Sequence, residues 1–411
     1  MNKFTKIHKY LPQIIIIGGI IIVGSILIFN SHASGPYSLT AADGGLITQP
    51  ATKQVCAGSN DGNCVVFGSS SGSSGSGFVS VCGTSLCING QTFTIKGATA
   101  YGTYATPSSE ISLAQSLGVN TLELVEFDSQ YHTLSDVESS ATWNRVDQFI
   151  SAASQAGLHV ILNLSEYGQS LQAAGQTPTT TDWNSYLSFI ANRVNTVSGV
   201  TYKNDPTIAK VEIFGEICYP NESDSGCPAG TTGTTAEMQS FFDRTENEWN
   251  ALAPNILISS GGFSHLDSSN SNGIPWQNII ADPADSVCDI EVNSQNDVTQ
   301  SIPKFTQACQ ADGKPWFLSA WSSCYADGSN YPFVTNSDSA MAAHAQDMYN
   351  IQDSITDTNN GGKPSTYAAV GSDFWNLKSD TLVGNPPAPP TGSCDIYDAF
   401  PLTESVIKNA R

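Results

Sequence analysis

The sequence predicts an α/β fold, a closed (β/α)₈ barrel with an N-terminal hairpin, occupying residues 78–411. Three observations predict it. Eight short apolar runs alternate with amphipathic stretches over about 330 residues, the pattern of parallel strands joined by helical crossovers. One run, Ile208–Glu216 (IAKVEIFGE), shows a period of two and ends on a glycine and a carboxylate, and active sites of such barrels lie at the C-terminal strand ends. Neither a GxGxxG after the first strand nor a phosphate loop is present, which weighs against the open doubly wound sheets that bind nucleotides.

In chain order, Lys3, Lys6 and Lys9 precede an uncharged stretch from Leu11 to Phe29. A positively charged start followed by an apolar core directs export. Its length nearly matches the ~20 residues of a spanning helix, and Ser31-His32-Ala33 offers a small-residue cleavage site. Residues 1–33 are therefore either a cleaved signal peptide or a retained membrane anchor through residues 11–29, and the remainder is placed outside the cell or on its surface. Residues 34–77 have little hydrophobic periodicity and end in GSSSGSSGSG, the composition of a flexible tether.

From Phe78 the texture changes. Phe78–Val81 and Leu86–Ile88 read as a hairpin, with Asn89-Gly90 a second turn signal. The barrel strands are expected at Phe93–Ala98, Asn120–Phe127, His159–Ser165, Ile208–Glu216, Ile256–Gly261, Val287–Asn293, Trp316–Ala320 and Tyr367–Trp375. Amphipathic helices are expected at Trp143–Ala156, Trp183–Val197 and Ala236–Leu252, and a short one around Leu402–Ala410.

Charge and cysteine content narrow the function classes. With 37 acidic and 16 basic residues the net charge is −21, the reverse of a nucleic-acid-binding surface. A neutral, hydroxyl-rich ligand suits this balance. Ten cysteines in an exported chain fit an oxidising compartment, and the near pairs Cys56/Cys64, Cys82/Cys87 and Cys218/Cys227 are spaced to close short loops. No CxxC or HExxH occurs and the six histidines are scattered, so neither a metal nor another cofactor is expected.

Several stretches together resemble the retaining (β/α)₈ glycoside hydrolases of family 5, the cellulase and β-mannanase group. INGQTFTIKGATAYG (Ile88–Gly102) resembles the opening hairpin and first strand, and GLHVILNLSEYG (Gly157–Gly168) the third strand. VEIFGE (Val211–Glu216) is similar to the fourth-strand W-E-L-x-N-E motif. PNILISSGGFSHLD (Pro254–Asp267) resembles the fifth strand, KPWFLSAW (Lys314–Trp321) the seventh and GSDFWNL (Gly371–Leu377) the eighth. The resemblance implies a β-linked polysaccharide or oligosaccharide as partner, Glu216 as general acid/base, and Trp375 as a sugar-stacking platform. Tyr101, Glu166, Tyr167, Asn293, Gln295 and Trp321 fall where substrate contacts are made.

The same resemblance exposes departures. Such enzymes need a second carboxylate about 5–5.5 Å from the acid, at the end of the seventh strand, and that position is Ala320. The second-strand arginine aligns with Glu123, the asparagine before the acid with Gly215, the third-strand histidine or asparagine with Ser165, and the sixth-strand His-x-Tyr with Asn293-Ser294-Gln295. Three readings follow: a single knockout at Ala320, a reconfigured site, or a glycan-binding pseudoenzyme. In the reconfigured site Glu123 replaces the lost carboxylate, with Glu126, Glu166 and Glu291 as further candidates.

Each residue also has a plainer role. Glu123 would be a structural carboxylate beside a buried cation such as Lys96. Glu166 would be a solvated loop charge, and Trp316 core. Trp321 and Tyr325 would pack around Cys324, and His132 and His265 would be polar loop surface.

Overall fold

The computed structural model describes residues 51–55, 63–67, 77–100, 107–125, 133–218, 220, 230–263, 266, 273–292, 297–322, 324–325, 334–335, 337–353, 356–357, 363–364, 368–378, 396–397 and 400–410. The chain divides into two units, Met1–Gly75 and Ser76–Arg411.

In the first unit, Ala51–Val55 and Asn63–Phe67 pair as an antiparallel hairpin, within the span whose composition reads as a tether. In the sequence, Val55 and Val65-Val66-Phe67 stand on either side of Asn60-Asp61-Gly62, residue types that signal a hairpin and that the Ser/Gly-rich run downstream obscures. The lysine-flanked apolar leader lies outside the described residues. Among the described residues no helix is long and apolar enough to cross a membrane.

The second unit opens with a three-stranded antiparallel sheet, Val79–Cys82, Ser85–Ile88 and Gln91–Phe93. Cys82 and Cys87 are disulfide-bonded across the first hairpin, as their spacing suggests. Asn89 and Gly90 both take positive φ, 54° and 78°, the conformation of a two-residue hairpin turn. Val79 and Leu86 of this sheet pack with Ile95, Ile161, Ala209, Val287, Phe317 and Val370, so the hairpin plugs the N-terminal end of the barrel.

The barrel strands are β1 (Ile95–Thr99), β2 (Thr121–Leu124), β3 (His159–Asn163), β4 (Ile208–Glu212), β5 (Leu257–Ser259), β6 (Cys288–Val292), β7 (Trp316–Ser322) and β8 (Gly371–Trp375). Their order is β5-β4-β3-β2-β1-β8-β7-β6, all parallel. A parallel bridge between Phe263 and Ile290 joins β5 to β6. With the bonds from Ser286 N to Ile258 O (2.8 Å) and from Glu291 N to Phe263 O (3.1 Å) it closes the ring. Each expected strand is present, most of them shorter than the apolar run that announces it. The runs are almost uninterrupted because parallel strands are buried on both faces.

Helices α1 (Pro107–Leu117), α2 (Ser140–Ala156), α3 (Asn184–Asn192), α4 (Thr235–Leu252), α5 (Trp276–Ala281), α6 (Ile302–Ala311), α7 (Asp338–Asp353) and α8 (Pro401–Asn409) are among those that cover the ring. The Ser139 side chain accepts from Thr142 N to start α2, and left-handed Gly157 ends it. Thr234 and Glu237 form a capping box at α4.

Helix α3 stops at Asn192, five residues before the apolar pattern ends. There Asn195 Oδ1 accepts from the N–H groups of Val197 and Ser198, an alternative to helix that side chains of this type offer the backbone. Arg193 meanwhile reaches Asp147 on α2 at 2.8 and 2.6 Å.

Lys96 does not pair with Glu123. Its Nζ donates to the carbonyls of Lys408 (3.2 Å) and Ala410 (3.0 Å) at the end of α8, because its position on β1 faces the outer helices rather than the lumen.

Asp147 ties α2 to the segment after α3. Besides Arg193 it accepts from Tyr202 Oη (2.6 Å), Thr196 N (3.0 Å) and Thr196 Oγ1 (2.8 Å). Burial alone would raise the Asp147 pKa, but the bonds from Arg193, Tyr202 and Thr196 outweigh it and hold the carboxyl below its usual value. A lowered acid contributes stability that is present above its unfolded pKa and fades as pH falls through the folded value. We therefore expect Asp147→Ala to cost about 3–5 kcal/mol at pH 7 and clearly less at pH 3, measured by urea unfolding at both pH values.

Candidate active site

At the C-terminal end of β4 the chain keeps pairing for a few residues beyond Glu212. Ile213 N donates to Ser259 O (3.0 Å), Phe214 N to Ser260 O (2.9 Å) and Glu216 N to Gly262 O (3.1 Å). Glu216, which the alternating pattern places at the end of a strand, instead stands in the turn that follows, with φ of 50°. A non-glycine residue in this region costs about 1–3 kcal/mol and is held by its surroundings. Its side chain is exposed at the mouth of the ring.

Glu291 on β6 reaches toward the turn that carries Glu216. Its carboxyl oxygen Oε1 sits 3.1 Å from where a Cβ on Gly215 would be. A Cβ on Gly262 would overlap both Glu291 Cγ and Ser319 Oγ. These two glycines leave the space in which Glu291 crosses from β6 toward the tip of β4. Burial first, then the negative charge of Glu216 with Glu123 and Glu212 behind it, and a hydrogen bond with Glu216, hold the Glu291 pKa well above the ordinary glutamate value.

Ala320 lies beside Glu291 in the β6–β7 register. Strand β7 is bulged there: the register shifts between Ile290 and Glu291 on one side and between Leu318 and Trp321 on the other. Bulges of this kind re-aim side chains at sheet rims. The expected nucleophile position is thus a half-buried methyl group next to a carboxyl supplied by the neighbouring strand.

Below the mouth the lumen is a polar network. Glu123 accepts from Thr99 Oγ1 and Asn163 Nδ2, both at 2.8 Å. Asn163 Nδ2 also reaches Glu212 Oε2 at 3.2 Å, and its Oδ1 accepts from Ser165 N at 3.0 Å. Lys210 binds Glu212 Oε1 at 2.8 Å and Asp289 Oδ2 at 2.5 Å, and Ser259 Oγ donates to the same Asp289 oxygen. The Lys210 ammonium lies 4.2 Å from the Phe317 ring centroid. Burial pushes both Glu212 and Asp289 up to about 7 against the opposing pull of Lys210. Asp373 of β8 lies over Gly97 and neither of its oxygens has a hydrogen-bond partner. Burial, then the charges of Glu123 and Glu212, keep its pKa well above normal.

Glu123 is therefore buried one layer beneath Glu216, partnered by Thr99 and Asn163. The residues that sequence reasoning did not single out are Asn163, Lys210, Asp289 and Asp373. For Lys210 and Asp289 the signal is a polar residue recurring at every second position of an otherwise apolar strand: Lys210 and Glu212, Asp289 and Glu291. Such spacing sets both side chains on one face.

The expected aromatic contacts separate into two groups. Trp375 ends β8 half-exposed, followed by a cis peptide to Asn376. Trp321, by contrast, is not a cleft residue. It is 1 % exposed and packs among Tyr349, His344 and Phe374 on the outer side of β7, because the bulge turns it toward α7. Tyr167 is also buried, stacked on Tyr186 at 3.9 Å and set edge-on against Trp183.

Glu166 is buried within the helix Ser165–Ala173 rather than solvated on a loop. Trp316 is fully buried core. Tyr101, Asn293 and Gln295, with Glu126, His132, Ser294 and His265, lie outside the described residues, as does the side chain of Tyr325. Cys218 is disulfide-bonded, and Cys227 lies outside the described residues. Among the described residues no group of His, Cys, Asp or Glu is arranged to hold a metal ion.

No protein-family model matches the chain. Across 226 residues it is 25% identical to a mannan endo-1,4-beta-mannosidase of Oryza sativa subsp. japonica, a match that covers 46% of this chain and 58% of that protein. The endo-1,4-beta-mannanase of Rhizomucor miehei superposes with a TM-score of 0.61 at 18% identity, over 81% of this chain and 99% of that one. An endo-beta-1,4-mannanase from Thermotoga petrophila gives 0.57 at 16% identity, covering 78% and 77%. A glycoside hydrolase family 5 mannosidase, also from Rhizomucor miehei, gives 0.55 at 13%, covering 81% and 97%. The fold is a family-5-like (β/α)₈ barrel. Within that barrel, Glu216 lies at the tip of the fourth strand and Ala320 near the end of the seventh, as the sequence resemblance places them.

Two outcomes follow from the buried network. Lys210→Met strands Glu212 and Asp289 without their cation and should lower unfolding free energy by about 3–5 kcal/mol, read from urea denaturation. Because Glu212 and Asp289 titrate near 7 in the folded chain, the native state holds more protons than the unfolded one between pH 4 and 7. Stability should then fall as pH rises across that window, seen as a lower urea midpoint at pH 8 than at pH 5.

Proposed function

We propose that the chain is an exported glycoside hydrolase acting on a β-linked polysaccharide of the mannan or glucan type. Glu216 serves as its general acid/base and Trp375 as a sugar platform. The observation that carries this reading is Glu216 itself: a carboxylate held in a left-handed turn, exposed at the tip of β4, at the mouth where barrel active sites are built. The mannanase relatives support the substrate class, and the lysine-flanked leader supports export. A glycan at this mouth would meet a proton donor on β4 and the face of an indole on β8.

A second reading has a specific observation in its favour. Ala320 cannot form a glycosyl–enzyme bond, so the barrel would bind a β-glycan without cleaving it. The two readings part in one assay. Under the first, the full chain releases reducing ends from β-mannan or mixed-linkage β-glucan, and Glu216→Gln lowers the rate at least 100-fold while leaving glycan affinity within a few-fold. Under the second, affinity is measurable and no reducing ends appear. Either way, Trp375→Ala should weaken oligosaccharide binding about tenfold or more, measured by calorimetry. Unchanged affinity would remove Trp375 from the site.

A further inference from the structure

We propose that Gly261 is a positioning residue for Glu216: its left-handed backbone lets the segment after β5 lie directly on Gly215, and so fixes the direction in which the Glu216 carboxyl leaves the tip of β4. The inference rests on the reading that Glu216 is the general acid/base, and Gly261 acts only through the turn that carries it.

The ground is a run of backbone contacts. Beyond Glu212, the amides of Ile213, Phe214 and Glu216 donate to the carbonyls of Ser259, Ser260 and Gly262 at 3.0, 2.9 and 3.1 Å. This ladder steps over Gly215 on one side and Gly261 on the other, and there the two backbones touch. A Cβ on Gly261 would fall 2.5 Å from Gly215 N, 2.9 Å from Gly215 Cα and 3.0 Å from the Phe214 carbonyl carbon. These are main-chain atoms, which cannot rotate aside as a side chain does. Gly261 also takes φ of 90°, a conformation that glycine adopts at no steric cost. Room and dihedral angle make the same demand.

Gly215 is held from its far side as well. Its carbonyl oxygen lies 3.4 Å from Ser165 Oγ, and the Ser165 N–H donates to Asn163 Oδ1 at 3.0 Å. Glu216, next along the chain, keeps φ of 50°, which persists in a non-glycine residue only where its surroundings impose it. Gly261 and its ladder neighbours are those surroundings. Displacing Gly215 by the thickness of a methyl group would carry the Glu216 turn with it, and a misplacement of about 1 Å costs about 100-fold in rate.

The other two glycines of this corner differ. A Cβ on Gly262 would overlap the side chains of Glu291 and Ser319, and one on Gly215 would come no closer than 3.1 Å to Glu291 Oε1. Of the three, Gly261 alone would collide with main chain.

The test is Gly261→Ala in the full chain, set beside Gly313→Ala. Gly313 is a remote left-handed glycine, with φ of 68°, whose Cβ would meet nothing within 4 Å; alanine there carries the backbone penalty without the collision. For Gly261→Ala we expect kcat on β-mannan about 100-fold lower, with KM and oligosaccharide affinity within a few-fold of native. Hydrogen exchange read by NMR should show the Phe214 and Glu216 amides at least about tenfold faster, while those of Ile208–Glu212 keep native rates. Gly313→Ala should leave kcat and all these amides as in the native chain. A merely structural role would instead speed exchange throughout β4 and β5 and weaken affinity together with kcat.

Native kcat and native Glu216 exchange in a folded Gly261→Ala chain overturn the inference and leave the hydrolase reading standing. If the native chain cleaves no glycan, the hydrolase reading falls, and the exchange pattern alone decides whether Gly261 seats the turn. Should Gly261→Ala not fold, the native chain decides. A Glu216 amide that exchanges as slowly as the β4 amides upholds the inference, and one that exchanges like an unprotected amide overturns it.

Discussion

The constraint on which the barrel depends is the placement of a single ammonium among buried acids. Lys210 is 1 % exposed and is bound by Glu212 from its own strand and Asp289 from β6. These contacts cross the lumen between strands that the backbone ladder brings together only through β5 and the bridge at Phe263. A buried cation of this kind raises little net stability over a well-packed apolar core. Its effect is on arrangement: it fixes which faces of β4 and β6 point inward, and therefore which residues emerge one layer higher. Those residues are Glu216, in the turn after β4, and Glu291.

Above that layer the glycines decide the geometry. Gly215 and Gly262 have no side chain to offer, and Glu291 occupies the room this creates. The departures from the family 5 pattern read as linked on this view. A glycine precedes Glu216 where an asparagine is expected, an alanine stands where the nucleophile is expected, and a glutamate on the intervening strand leans into the space between. None of the three changes is isolated from the other two.

How much of this was legible in the sequence differs by level. The barrel was, because apolar runs of parallel strands and amphipathic crossovers leave distinct periods, and all eight runs became strands. Helix ends were less so: α3 stops early because Asn195 bonds to the neighbouring backbone, which hydropathy does not register. The position of Glu216 was legible from its glycine–glutamate ending, but its turn was not, since a period of two extends through Phe214 before the chain bends. Trp321 was misplaced because a bulge in β7 turns its ring outward, and a bulge leaves no trace in composition. Lys96 serves other acceptors than Glu123 for a related reason: β1 is buried at every position from Ile95 to Thr99, so burial alone does not tell which of its faces meets the lumen.

The bond between Lys96 and the carbonyls of Lys408 and Ala410 joins the first strand of the ring to a helix that follows the last. The two ends of that tie are 314 residues apart, so it can form only once nearly the whole domain has been made, and removal of the last helix would leave a buried ammonium on β1 without its acceptors.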